Sequence, residues 1–147
     1  MRIYTRTTQA IGLVAALAIL GWASSGRAQT TGATPHIPDN ATALEGLPTA
    51  RLDATSEGAK RQRLDRDDAA KQALQITIVD GRYYWTSREN RPLTLTTSGE
   101  FTYLTSTEPG QYVRFRKIND RLSYVEHVDM GSRSVTYWGE LRVVLVR

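Results

Sequence analysis

The sequence predicts a small all-β domain, an antiparallel meander of about eight strands that forms a curled sheet or barrel. From Leu74 onward, residues that favour strands are interrupted by turn residues every 8 to 15 positions, which is typical of antiparallel strands with short connections. Residues 76–85 also combine apolar alternation with an Asp-Gly turn, a strong hairpin signal. Strands that neighbour each other in sequence are therefore expected to pair, and an open two-sheet sandwich is the alternative.

Residues 1–28 have the features of a secretory signal peptide. Arg2 and Arg6, with no acid, precede an apolar run over residues 10–23, and small residues then lead to Ala28. The apolar run is shorter than the ~20 residues that a membrane-spanning helix needs. We therefore expect cleavage before Gln29, a secreted or periplasmic protein, and no stable membrane insertion after cleavage.

Two further segments precede the predicted β domain of residues 76–147. Residues 29–50 consist largely of Thr, Ala, Pro and Gly without an apolar period, which predicts a disordered linker. Residues 51–75 place opposite charges four positions apart, as in Glu57 with Arg61, which predicts a short charged helix.

Composition excludes several classes of function. Without the three basic residues of the leader, 16 basic and 15 acidic residues leave a net charge of +1, so no nucleic-acid partner is implied. The chain has no cysteine, which excludes disulfides, thiolate metal sites and a cysteine nucleophile. The acids at 65–68 lack the spacing and the glycine of a calcium loop, so we assign no metal and no cofactor.

Turn lengths decide which side chains share a face in the two predicted hairpins. A two-residue Asp80-Gly81 turn directs Trp85 toward the core and Tyr84 toward the open face. In the second hairpin, a three-residue loop over residues 97–99 would gather apolar side chains on one face, with Gly99 at positive φ. The residues expected in the core include Trp85, Phe101, Phe115 and Leu145.

In the predicted strands of residues 111–146, the role of Gly139 and the face of His127 are left open. We expect four strands, over residues 111–118, 122–128, 133–138 and 141–146. Gly139 is a turn or a bulge between the last two. A two-residue Asn119-Asp120 turn places His127 on the outer face, whereas a three-residue loop turns it toward the core.

Residues 123–129 hold a serine, a histidine and two acids, the residue types of a hydrolase. Glu126 and His127 are consecutive in a strand and point to opposite faces, so they cannot orient each other. Ser123 and His127 share a face but lie roughly 13 Å apart at ~3.3 Å per residue. A hydrolase using His127 therefore needs a partner from another strand.

Arginine and aromatic residues supply the candidate binding surface. Residues 76–147 hold nine Arg, and a guanidinium group suits planar anions. Consecutive aromatic residues at 83–85 and 137–138 must point to opposite faces, so some rings face away from the core. The candidate ligand-binding residues are Tyr84, Arg114, Arg116, His127 and Trp138.

These observations favour an exported non-enzymatic β-sheet module that binds a protein or glycan partner. One alternative is a small β-barrel that carries an apolar ligand, with a cavity lined by Tyr and Trp. The other is a hydrolase that uses His127.

Overall fold

A computed structural model describes residues 37–146, which form an eight-stranded antiparallel barrel with one additional strand. The strands are β1 (Ala41–Thr55), β2 (Gly58–Arg63), β3 (Leu74–Val79), β4 (Arg82–Trp85), β5 (Arg91–Ser98), β6 (Phe101–Ser106), β7 (Tyr112–Ile118), β8 (Arg121–Asp129) and β9 (Arg133–Leu145). A six-residue helix, α1 (Arg66–Lys71), follows β2, and a 3-10 helix (Thr86–Arg88) follows β4. The prediction of an antiparallel all-β domain is confirmed.

The long strand β1 closes the barrel. It pairs with β9 along nearly its whole length, while its other edge is shared between two strands. The first half of β1 pairs with β3 and the second half pairs with β2, which folds back after the turn at Ser56 and Glu57. Strands β3 to β9 then follow around the barrel in sequence order, so β2 is the one strand of the described sheet that lies outside the ring.

The predicted linker and charged helix are wrong from Ala41 onward, because this region forms β1 and β2. Charge pairs four residues apart contribute only tenths of a kcal/mol each. Pairing of β1 with β9 satisfies the backbone of this region and buries Leu44, which outweighs so weak a helical preference. The helix that does form is capped by Asp65, whose Oδ1 accepts a hydrogen bond from the Asp68 amide at 2.8 Å. The signal peptide and residues 29–36 lie outside the described residues.

The first predicted hairpin is confirmed. Its two-residue turn pairs Val79 with Arg82 and Ile76 with Trp85. Asp80 adopts φ +50° and Gly81 φ +72°, the left-handed conformations that a two-residue type I′ turn requires. Trp85 is consequently fully buried.

The three-residue loop predicted for the second hairpin is wrong. Ser98 pairs with Phe101 across a two-residue turn, so Leu95 faces Leu104. Gly99 does have the predicted positive φ of +57°, and it occupies the first central position, which suits a type II′ turn. Because one residue of register moves a strand's side chains to the other face, Phe101 lies on the outer surface instead of in the core.

The turn between β7 and β8 has two residues, since Ile118 pairs with Arg121. His127 therefore points outward. Strand β9 runs unbroken through Gly139, and the bulge lies on β1, where Thr49 is the extra residue. A Cβ on Gly139 would overlap the Leu47 carbonyl oxygen, so glycine is needed at this close approach of two backbones.

Side chains of all the barrel strands fill the interior. Its core contains Leu44, Leu74, Ile76, Trp85, Leu93, Leu104, Val113, Phe115, Tyr124, Val128 and Leu141. The expected burial of Trp85 and Phe115 is confirmed, whereas Leu145, at the end of β9, is 46 % exposed and was wrongly placed in the core. Within residues 37–146, no helix has the length and apolar character needed to cross a membrane.

Candidate functional site

The outer surface of β6 to β9 carries a cluster of aromatic and cationic side chains that face away from the barrel core. We call it the aromatic–arginine face. Its members are Phe101, Tyr103, Tyr112, Arg114, Arg116, His127 and Trp138. They alternate along each strand with buried residues, and each is itself half-buried by its neighbours.

Four rings form a continuous row across the face. The ring of Phe101 lies 6.2 Å from that of Tyr103, which lies 6.5 Å from that of Tyr112. The Tyr112 ring stacks on the His127 imidazole at 5.4 Å with an interplanar angle of 28°. Strand pairing creates the last contact directly, because Tyr112 and His127 are opposite each other in β7 and β8.

Two guanidinium groups cover the Phe101 end of this row. The Cζ atoms of Arg114 and Arg116 lie 5.3 Å and 5.1 Å from the centre of the Phe101 ring. Arg116 also forms an ion pair with Glu100. Arg114 makes no side-chain hydrogen bond or ion pair with any described residue, and its Nε is shielded from solvent without a partner. Among residues 37–146, its positive charge therefore has no acidic partner.

A shallow groove of about 440 Å³ runs along β8 between these arginines and β9. Small side chains on β8, Ser123 and Val125, separate longer ones on either side. Arg114 and Phe101 lie on one side of the groove, and Trp138 lies on the other. The groove thus offers an indole ring, an uncompensated guanidinium group and a hydroxyl to one ligand.

His127 is held from β9 as well as from β7. Its Nδ1 lies 2.8 Å from the Thr136 hydroxyl oxygen, in a pair fixed by the register of β8 and β9. Within residues 37–146, no carboxylate forms a hydrogen bond with this imidazole. Glu126, the next residue, points into the barrel and is 1 % exposed. The imidazole therefore lacks the orienting acid of a catalytic triad in this part of the chain.

Four of the five candidate residues lie on this face, and Tyr84 does not. It lies on β4, on the opposite side of the barrel, where it pairs with Thr77 and Pro92. Tyr103 and Tyr112 are not among the candidate residues predicted from the sequence, and Phe101 was expected in the core. The signal that would have found Phe101 is the two-residue turn at residues 99–100, since it fixes the register of the second hairpin.

The comparisons with known proteins add nothing to this geometry. No protein-family model matches the chain, and it matches neither a curated protein nor a solved structure. No cluster of three or more potential metal ligands occurs among residues 37–146.

A second polar group lies inside the barrel. Arg88, from the 3-10 helix, donates to Glu126 Oε1 from Nε at 3.1 Å and from Nη2 at 2.8 Å. Burial raises the pKa of Glu126 above its ordinary value, although Arg88 acts in the opposite direction. Burial also raises the pKa of Tyr124, whose hydroxyl, like Glu126 Oε2, has no partner among the described residues. Glu126 is thus enclosed by the core, whereas the Arg88 side chain is 33 % exposed.

Proposed function

We propose that the protein is an exported, non-enzymatic binding module that holds a protein or glycan partner on its aromatic–arginine face. The observation that carries this proposal is the continuity of the face. Rings from three strands touch in one row, and two arginines extend the row to the groove on β8.

Two physical properties of this face support the proposal. Tyr, Trp and Arg dominate binding hot spots because each buries a large area and also offers a polar group. Here the side chains stand on paired strands and pack against one another, so little conformational entropy remains to be lost when a partner binds. A charged surface on flexible loops would lack this second property.

The proposal is tested by capture from the extracytoplasmic fraction of the source, combined with a glycan array. We expect Trp138→Ala and Arg114→Gln each to reduce capture at least tenfold, because truncating a hot-spot residue costs 2 kcal/mol or more. Tyr84→Ala and Arg82→Gln are matched controls on the opposite side of the barrel, and neither should change capture. No capture by the wild-type protein in either assay, or equal losses in the control variants, would refute the proposal.

A hydrolase using His127 is the second candidate, favoured by the 2.8 Å approach of the Thr136 hydroxyl to His127 Nδ1. That distance suits a nucleophile and its base. The candidate predicts that hydrolysis of activated ester substrates is abolished in both His127→Ala and Thr136→Ala. Wild-type protein with no activity above background, or variants with unchanged activity, would exclude it.

The proposal of a barrel that carries an apolar ligand has less support. The interior is occupied by large side chains, of which Trp85 and Phe115 are at most 1 % exposed. A ligand between them would have to displace these side chains, and closely packed interiors resist such changes.

A further inference from the structure

We infer that the groove on β8 binds a carboxylate-bearing sugar unit of an acidic glycan, with Arg114 pairing with the carboxylate and Trp138 stacking on the sugar ring. This inference rests on the proposed function and names the partner class of the same face.

The charge balance indicates a singly charged group. Arg116 is paired with Glu100, and Glu140 at the end of the groove is paired with Arg121 at 2.9 Å. Arg114 is therefore the groove cation without an acidic partner among the described residues. A guanidinium group matches one carboxylate through two parallel hydrogen bonds, which suits this single free charge.

The same balance disfavours a phosphate-bearing partner. Phosphate recognition uses clusters of arginine or lysine, because a phosphomonoester carries nearly two negative charges. In this groove a phosphate would meet one free guanidinium and would also lie near the Glu140 carboxylate. The second negative charge of the phosphate would have no cation to pair with.

The shape of the groove indicates a ring with one apolar surface. Ser123 and Val125 are short enough to leave space between Arg114 and Trp138. The volume of about 440 Å³ lies within the range of small-ligand sites, ~300–1,000 Å³. The indole offers a flat apolar surface beside polar groups, while the Ser123 hydroxyl can donate to or accept from a sugar hydroxyl. A neutral sugar would use the indole but leave Arg114 unpaired.

The test compares each acidic oligosaccharide with its own methyl ester, which removes the charge and keeps the sugar. The full chain is titrated by calorimetry with oligouronates and sialylated oligosaccharides, and with the methyl esters of both. We expect at least one acid to bind ten times more tightly than its ester. Added salt should reduce this difference in affinity. Arg114→Gln should weaken binding of the acid about tenfold and binding of the ester much less, whereas Trp138→Ala should weaken both. Arg82→Gln is the matched control.

The outcomes distinguish this inference from the proposed function. Equal affinity for acid and ester overturns the carboxylate pairing but leaves a glycan-binding face. Absence of binding across the whole panel, with a protein partner captured through Trp138, overturns the glycan and keeps the binding module. Arg114-dependent binding of a phosphopeptide without binding of any acidic sugar also overturns the inference. The comparison of acid and ester uses the wild-type protein, so it remains decisive if a variant fails to fold.

Discussion

Replacing Arg88 by methionine tests how the barrel tolerates a carboxylate in its interior. Methionine keeps much of the length and apolar stem of arginine but removes both hydrogen bonds to Glu126. The Glu126 side chain is 1 % exposed, whereas that of Arg88 is 33 % exposed. The substitution therefore leaves the deeply buried partner of the ion pair without its counter-charge.

The expected loss depends on pH. Without Arg88, burial alone acts on Glu126, and its pKa rises further above the ordinary value of 4.5. The folded variant then keeps a proton that the unfolded chain releases, so stability falls as pH rises above 4.5, by about 1.4 kcal/mol per pH unit until the folded carboxyl also ionises. The loss is therefore largest at neutral pH, where removing one partner of a buried ion pair costs about 3 kcal/mol or more, and smallest near pH 5. A total stability of about 5–15 kcal/mol leaves the variant largely folded.

Urea unfolding at pH 5 and pH 7, followed by the fluorescence of buried Trp85, measures this difference. Arg88→Met with Glu126→Gln is the reference, because it keeps the cavity shape and removes the ionisable group. We expect the single variant to be about 2 to 3 kcal/mol less stable than the double variant at pH 7 and nearly equal to it at pH 5. A single variant that loses the same stability at both pH values, or that matches the double variant at pH 7, would refute the reasoning.

Three further predictions concern the barrel and its ion pairs. Gly139→Ala should lower the free energy of unfolding by about 3 kcal/mol or more, because its Cβ would collide with the backbone of β1. At Gly81 the added Cβ meets nothing within 4 Å, so Gly81→Ala should cost only the ~1–2 kcal/mol of a non-glycine residue in the left-handed conformation. If urea unfolding shows that Gly81→Ala is the more destabilising of the two substitutions, the close approach of Gly139 to β1 is contradicted. Asp53→Asn should lower the free energy of unfolding by at most about 1 kcal/mol at pH 7. Hydrogen bonds from Arg51 and then from Arg133 lower the pKa of Asp53 below its ordinary value of 3.8. The difference in stability between wild type and variant should therefore disappear as the pH falls below 3.8 and Asp53 becomes protonated. A stability difference between wild type and Asp53→Asn that does not change with pH would show that the charge of Asp53 is not responsible.

Local turn chemistry predicted a large part of the fold. Asp80-Gly81 was predicted as a two-residue turn, and its hairpin has the register that such a turn imposes. The turn at Asn119-Asp120, whose length was left open between two and three residues, has two residues, both at positive φ. The loop length predicted for the second hairpin was wrong because it was chosen to bring the apolar residues onto one face. Phe101 packs under two arginines on the outer surface, so its apolar character did not indicate the core.

Long-range pairing explains what the sequence could not predict. Strand β1 is stabilised by β9, which lies about ninety residues later in the chain, and no local pattern in residues 41–55 indicates that partner. Gly139 likewise has an ordinary strand conformation, and its role is visible only beside Leu47. These features depend on contacts that no local sequence window contains.

The candidate site was predicted to the extent that strand alternation determines it. Alternation alone set Arg114 and Arg116 on one face. The face of His127 was left open between a two-residue and a three-residue turn, and the structure has the two-residue turn. Tyr84 was also correctly directed away from the core, but strand order puts it on the far side of the barrel. The order of the strands in the closed sheet decides which outward-facing residues become neighbours.

Fluorescence quenching of Trp138 tests the central claim, that the aromatic–arginine face is the binding surface. In a full chain carrying Trp22→Phe, the two remaining tryptophans are Trp85, which is fully buried, and Trp138, which is half-exposed on the face. Acrylamide should therefore quench a component that disappears in Trp138→Phe. The account predicts that the captured partner, or an acidic oligosaccharide that binds, protects this component. A ligand that binds by calorimetry yet leaves the quenching of Trp138 unchanged would show that the binding surface lies elsewhere.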